Sequence, residues 1–177
     1  MGSVISAHTN LVAQKKILNQ EGEALLASGI GLEELANTRS ELWIPDRSGK
    51  RVIKDKCVTT AFVDFVVDQL QTETSAFGDF KYHEMGLGTA TEDAANTALQ
   101  TTTGIARVAG TQTETDHDTY KSVATITADA SEAITEHGLF NTSTGGTMMD
   151  RTVFSAINVV SGNQVEFTFE ISFSAGS

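Results

Sequence analysis

A chain of 177 residues with 40% hydrophobic side chains can bury one domain-sized core, which excludes wholesale disorder. Its 12 basic and 23 acidic side chains give a net charge of −11, which argues against binding a phosphate backbone, since that needs clustered Lys and Arg. No apolar run is long enough to cross a bilayer, and the first residues show no secretory pattern, so neither a membrane span nor a leader is expected.

A single cysteine, Cys57, excludes an intrachain disulfide and a multi-cysteine zinc site; beside Val58 it reads as a small buried residue. The charge is unevenly spread. Residues 1–85 hold 9 basic and 12 acidic side chains, and residues 86–177 hold 3 and 11. Arg47, Lys50, Arg51, Lys54 and Lys56 crowd into ten positions, a candidate contact for an acidic partner or a solvated loop.

Asn10 to Ala27 is rich in helix formers, and Gly29 and Gly31 stop it, which predicts a first helix. LWIPDRSGKRVI predicts two short extended pieces around a turn supplied by Pro45-Asp46 and Ser48-Gly49. The strongest helical pattern runs from Cys57 to Gln71. Val58, Ala61, Phe62, Phe65, Val66 and Leu70 draw one apolar stripe there, with Asp55 as the expected cap.

After about Phe77 alternation replaces helical spacing. Strands are expected in Phe80–Gly88, on either side of the acidic tip Glu114–Asp118, and in SEAITEHGLF and TMMDRTVFSAINV around the turn NTSTGG. TATEDAANTALQ reads as a polar connector. In QVEFTFEISFS, Val165, Phe167, Phe169, Ile171 and Phe173 alternate with polar residues, the pattern of a strand with one buried face. The expected fold is α+β, mainly β. A helical N-terminal region over residues 1–79 precedes an antiparallel β-sandwich or barrel-like domain over residues 80–177.

The chemical candidates are few. His8, His83, His117 and His137 lack the spacing of a zinc protease or a zinc finger. His83-Glu84, Glu136-His137 and Asp150-Arg151 are neighbours that point to opposite faces of a strand, which breaks up a catalytic pair. His83 and His137 can still meet across strands. Glu136, His137 and Asp150 are therefore expected as surface or cross-strand polar residues. Glu114, Asp116 and Asp118 alternate like part of a calcium loop, without the glycine and distal glutamate of an EF-hand. Gly86-Leu87-Gly88 lacks the third glycine of a dinucleotide fingerprint. No catalytic, cofactor or metal residues are expected.

The segments YHEMGLGTATEDAANTALQT, AITEHGLFNTSTGGTMMDRTVFSAINV and VEFTFEISF resemble a β-domain of tailed-bacteriophage virion proteins. The shared elements are Gly88-Thr89, Asn96-Thr97-Ala98-Leu99, Ile134–Phe140, Gly145–Met148 and Arg151–Phe154, in that order, within roughly residues 80–175. Met148 stands where that family usually has Leu. The resemblance implies a non-enzymatic structural component of the virion, assembled in the host cytoplasm. It implies a homo-oligomer whose partner is the major capsid protein or another virion protein, with no direct nucleic-acid or membrane contact. A capsid decoration (cement) protein is the first expectation, and a tail-associated adaptor or fibre-base protein the second. A glycan-binding module for host attachment is the alternative from another class, weakened by an aromatic inventory of one Trp and two Tyr.

Overall fold

The structure, a computed structural model, describes residues 6–47, 52–55, 57–71, 80–115 and 118–174, with the backbone alone at 6–10, 33, 37, 52–55, 67–71, 115 and 174. Mainly β, it places two antiparallel sheets face to face. One sheet has the order β2-β1-β11-β8-β7, with β3 also paired to β1. The other has the order β4-β10-β9-β5-β6. The strands are β1 (Ser6–Leu18), β2 (Trp43–Pro45), β3 (Val52–Asp55), β4 (Cys57–Val58), β5 (Tyr82–Gly86) and β6 (Val108–Ala109). They continue with β7 (Thr111–Thr115), β8 (Thr119–Thr127), β9 (Glu132–Phe140), β10 (Met148–Val159) and β11 (Gln164–Ser174). The helices α1 (Gln20–Ala27), α2 (Leu32–Thr38) and α3 (Thr60–Gln71) all precede β5.

The strand β11 follows its alternation closely. Val165, Phe167, Phe169 and Ile171 are buried, and only Phe173, at the strand's end, is exposed at 43%. Phe167 joins Leu11, Ala13, Met85, Ile126, Ile134, Phe154 and Val165 in the core between the sheets. Phe154 and Ile157 both enter this core although they lie three residues apart. A register shift between Val153 and Ile157 makes that possible, because an inserted residue reverses which face a strand presents.

The expected first helix is largely a strand. Ser6–Leu18 pairs along its length with β11, from Ser6↔Ser174 to Lys16↔Gln164, and helix begins only at Gln20. The local helix propensity of Gln14-Lys15-Lys16 yields to a partner 150 residues away whose apolar face needs Leu11 and Ala13 beside it. Asn19 then caps α1 by accepting from Gly22 N. The N-terminal strand thus lies in the same sheet as β11, across the expected boundary at residue 79.

The strongest predicted helix also starts late. Cys57–Val58 is β4, paired to Asp150 and Arg151, and α3 begins at Thr60. Thr59, not Asp55, supplies the capping oxygen: its hydroxyl accepts from Phe62 N. The stripe Phe62, Phe65 and Val66 packs with Phe80, Leu139, Met149, Phe169 and Ile171 at one end of the sandwich. At the other, Leu18, Leu35, Leu42 and Trp43 form a small cluster beneath α1 and α2.

Gly110 marks the crossing from one sheet to the other, since β6 pairs with β5 and β7 pairs with β8. A Cβ there would lie 2.5 Å from Ser122 Oγ and 2.7 Å from His83 Nε2, so the close approach requires glycine.

Candidate functional site

The polar residues of ITEHGLF and MMDRTVF lie beneath the surface. Glu136, His137 and Asp150 are fully buried and Arg151 is 2% exposed, which corrects the surface half of the expectation of surface or cross-strand polar residues. His137 and Asp150 are covered by the facing sheet; for Glu136 and Arg151 the reason is a layer that composition did not reveal. The connector between β5 and β6 folds back over the outer face of the β10-β9-β5 sheet and encloses whatever points there.

Strand alternation sorts these residues into two groups. On the outer face, Glu136 accepts four hydrogen bonds. Its Oε1 takes Gly88 N at 2.8 Å and Thr101 N at 2.8 Å; its Oε2 takes Gln100 N at 3.1 Å and Arg151 Nε at 2.7 Å. Arg151 Nη1 continues to Ala90 O at 3.2 Å and Asn96 Oδ1 at 3.0 Å. Gln100 Oε1 accepts from Thr89 N and Ala90 N, and Glu92 Oε1 accepts from Val153 N. One buried ion pair therefore fixes the whole connector on the sheet. A Cβ at Gly88 would overlap Glu136 Oε1 and lie 2.6 Å from Gln100 Cβ, so the second glycine of Gly86-Leu87-Gly88 leaves room for a carboxylate, not for a phosphate.

A second clamp sits beside it. Arg107 Nε donates to Glu84 Oε2 at 2.8 Å, its Nη1 donates to Thr142 O and Gly145 O, and its guanidinium lies 3.3 Å over the Phe140 ring. The Asn141–Gly146 turn is held by this arginine and by Asn141 Oδ1, which accepts from Thr147 N. Gly145 and Gly146 have φ of 62° and 73°, the left-handed conformation that such a turn assigns to glycine.

The other group faces the second sheet. His83 Nδ1 lies 3.0 Å from His137 Nε2, the cross-strand meeting that the two segments allowed, and His83 Nε2 lies 2.8 Å from Ser122 Oγ on β8. His137 stacks on Phe167 at 4.6 Å between centroids. Thr152, opposite His137, donates to Asp150 Oδ2 at 3.1 Å. Among the described residues no three His, Cys, Asp or Glu side chains are placed to hold a metal ion.

The three pairs judged to diverge do diverge. Glu136 serves the outer network and His137 the inner one; Glu84 meets Arg107 while His83 meets His137. Register places Asp150 opposite Leu139 and Arg151 opposite Gly138, on alternate faces.

Of the basic run, Arg47 is exposed just past β2, and Lys54 lies in β3 with its backbone alone described. Lys50, Arg51 and Lys56 fall outside the described residues, as do Asp116 and His117 of the acidic tip. Cys57 is half-buried. Burial, and then the carboxylates of Glu92, Asp93 and Asp150, push its thiol above the ordinary range.

No motif singles out Arg107, Gln100, Ser122 or Glu92. One signal was available for the arginine. The three cations of residues 86–177 are Arg107, Lys121 and Arg151, and each is committed to a carboxylate: Glu84, Glu170 and Glu136. Where cations are this scarce, each is a candidate for a specific pair.

No protein-family model, curated protein or solved structure matches the chain.

Proposed function

We propose that the protein is a structural subunit of a tailed-bacteriophage virion, set on the head as a decoration, or cement, protein that bridges shell subunits. The observation that carries the reading is the convergence of the resembling segments. Gly88, Asn96, Glu136 and Arg151 come from separate parts of the chain and meet in one network, buried at its centre, that fixes a connector on a sheet. The shared signature is thus architectural: each polar member is spent on holding backbone, as expected of a domain kept for its shape.

The mechanism is mechanical. Many copies attach by modest contacts, and symmetry multiplies them into a clamp on the expanded shell. The excess of carboxylates discourages contact with packaged nucleic acid. Arg47 and its basic neighbours in sequence are the proposed contact with an acidic patch on the shell.

The test removes the protein from the particle. Virions assembled without it are expected to lose their contents at lower temperature and under milder osmotic shock, and added purified protein restores them. Particles that withstand both treatments as well as the complete virion would overturn the cement role.

A further inference from the structure

His83 and His137 are fully buried and hydrogen-bonded to each other, and His83 is bonded in turn to Ser122. The histidines belong to β5 and β9 in one sheet, and the serine to β8 in the other. These three side chains are therefore a polar tie across the interior of the sandwich. The packing is close on both sides. His137 lies on Phe167 with an interplanar angle of 27°, and Gly110 approaches His83 Nε2 and Ser122 Oγ too closely for a Cβ.

A hydrogen bond between two imidazoles needs one nitrogen that carries a proton and one that does not. The pair meets this condition while at least one ring is neutral. With both rings protonated, the facing nitrogens are both donors. The bond is lost, and two like charges stand 5.1 Å apart between centroids in an apolar core.

The surrounding groups set how many protons are tolerated. From β10, Asp150 and Thr152 share the inner face with the pair by register. From β8 come Ser122 and Tyr120, whose phenol donates to Phe80 O; burial raises its pKa above the usual range. From β7 comes Gln112, whose amide donates to the Tyr120 oxygen. The strands β11 and β1 present Phe167, Phe169, Leu11 and Ala13, which carry no charge. Glu84 and Glu136, the sequence neighbours of the histidines, point to the opposite face onto Arg107 and Arg151. By register Asp150, opposite Leu139, is the carboxylate beside the pair in the histidines' own sheet, and Glu114 on β7, opposite Tyr120, shares the inner face of the other sheet. The one carboxylate beside the pair favours a first added proton and does not compensate a second.

We propose that His83, His137 and Ser122 form an acid-released latch between the two sheets, closed while the histidine pair holds at most one added proton and opened when both rings are protonated. This inference is independent of the virion assignment, because it concerns the isolated chain.

The test uses the full chain with His8→Asn and His117→Asn, so that the pair are the only imidazoles left. Urea unfolding is measured across the imidazole range, from about pH 8 to about pH 5. The expected result is a fall in the folded-to-unfolded ratio, by up to about tenfold per pH unit for each proton taken up on unfolding. In the same background His83→Gln/His137→Gln keeps hydrogen-bonding groups that do not titrate, and the fall is expected to shrink to that of the carboxylates. Equal pH dependence in the two proteins overturns the latch.

If the glutamine variant does not fold, ring titration and amide exchange in the parent protein decide. Protection at Ser122 and Gly110 is expected to collapse as the second ring is protonated. Protection that persists with both rings charged overturns the proposal.

Discussion

Replacing Glu136 by Gln changes one atom in the centre of the outer network and should cost far more than a surface substitution. The side chain is fully buried, and its two oxygens serve four donors, at 2.8 and 2.8 Å on one and 3.1 and 2.7 Å on the other. An amide in either orientation turns its NH₂ group toward two of those donors. Each buried donor left without an acceptor costs roughly 1–3 kcal/mol. Arg151, 2% exposed, becomes a buried cation without its carboxylate, a change worth about 3–5 kcal/mol where one partner of a buried pair is removed. These terms overlap, so the expected total is about 4 kcal/mol, a large share of the roughly 5–15 kcal/mol typical of a domain. For a chain of this size that lowers Tm by about 10 °C.

Arg151→Met should cost somewhat less, because the carboxylate keeps three backbone N–H donors. The double variant Glu136→Gln/Arg151→Met should cost less than the sum of the singles by at least about 2 kcal/mol, since no lone charge remains. Urea unfolding of the four proteins reads all three quantities. A loss below about 1 kcal/mol for Glu136→Gln, or additive singles, would refute the claim that this pair organises the connector.

Three further outcomes follow from the same geometry. Gly88→Ala should destabilise by about 1–3 kcal/mol through overlap with Glu136 and Gln100, while Gly31→Ala, with nothing within 4 Å of the added methyl, should be near neutral; thermal unfolding compares them. Phe167→Ala removes a fully buried ring that also stacks on His137 and should cost about 3–5 kcal/mol by denaturant titration. Cys57 should resist alkylation near neutral pH, and its rate should climb on raising the pH beyond the range of a free thiol, because burial and nearby carboxylates favour the protonated form. Thiol-reagent kinetics at the rate of a free cysteine at neutral pH would contradict that.

Much of the sheet architecture was legible because it is written in short-range alternation. Val165 to Ile171 declares its buried face within one strand, and Phe62, Phe65 and Val66 declare theirs within one helix. Ser6–Leu18 was not legible for the opposite reason: its strand identity comes from β11, far away in the chain, while Gln14, Lys15 and Lys16 favour helix locally.

The site was half legible. Alternation correctly separated Glu136 from His137 and Asp150 from Arg151, and the meeting of His83 with His137 was foreseeable from two strands. The burial of Glu136 and Arg151 was not, because it depends on a connector with little periodicity, whose fold is set by contacts to that pair together with its own Gln100 and Asn96. Gly86-Leu87-Gly88, which fails the dinucleotide fingerprint, shows why it needs glycine only when the carboxylate that occupies the space beside it is in view.

The most direct test of the central claim is quantitative mass spectrometry of purified, nuclease-treated virions from the source of this sequence. A decoration subunit is expected in the particle at a copy number comparable to that of the major shell protein. A handful of copies would place it in the tail and contradict the cement role, and its absence from the particle would contradict a virion structural protein altogether.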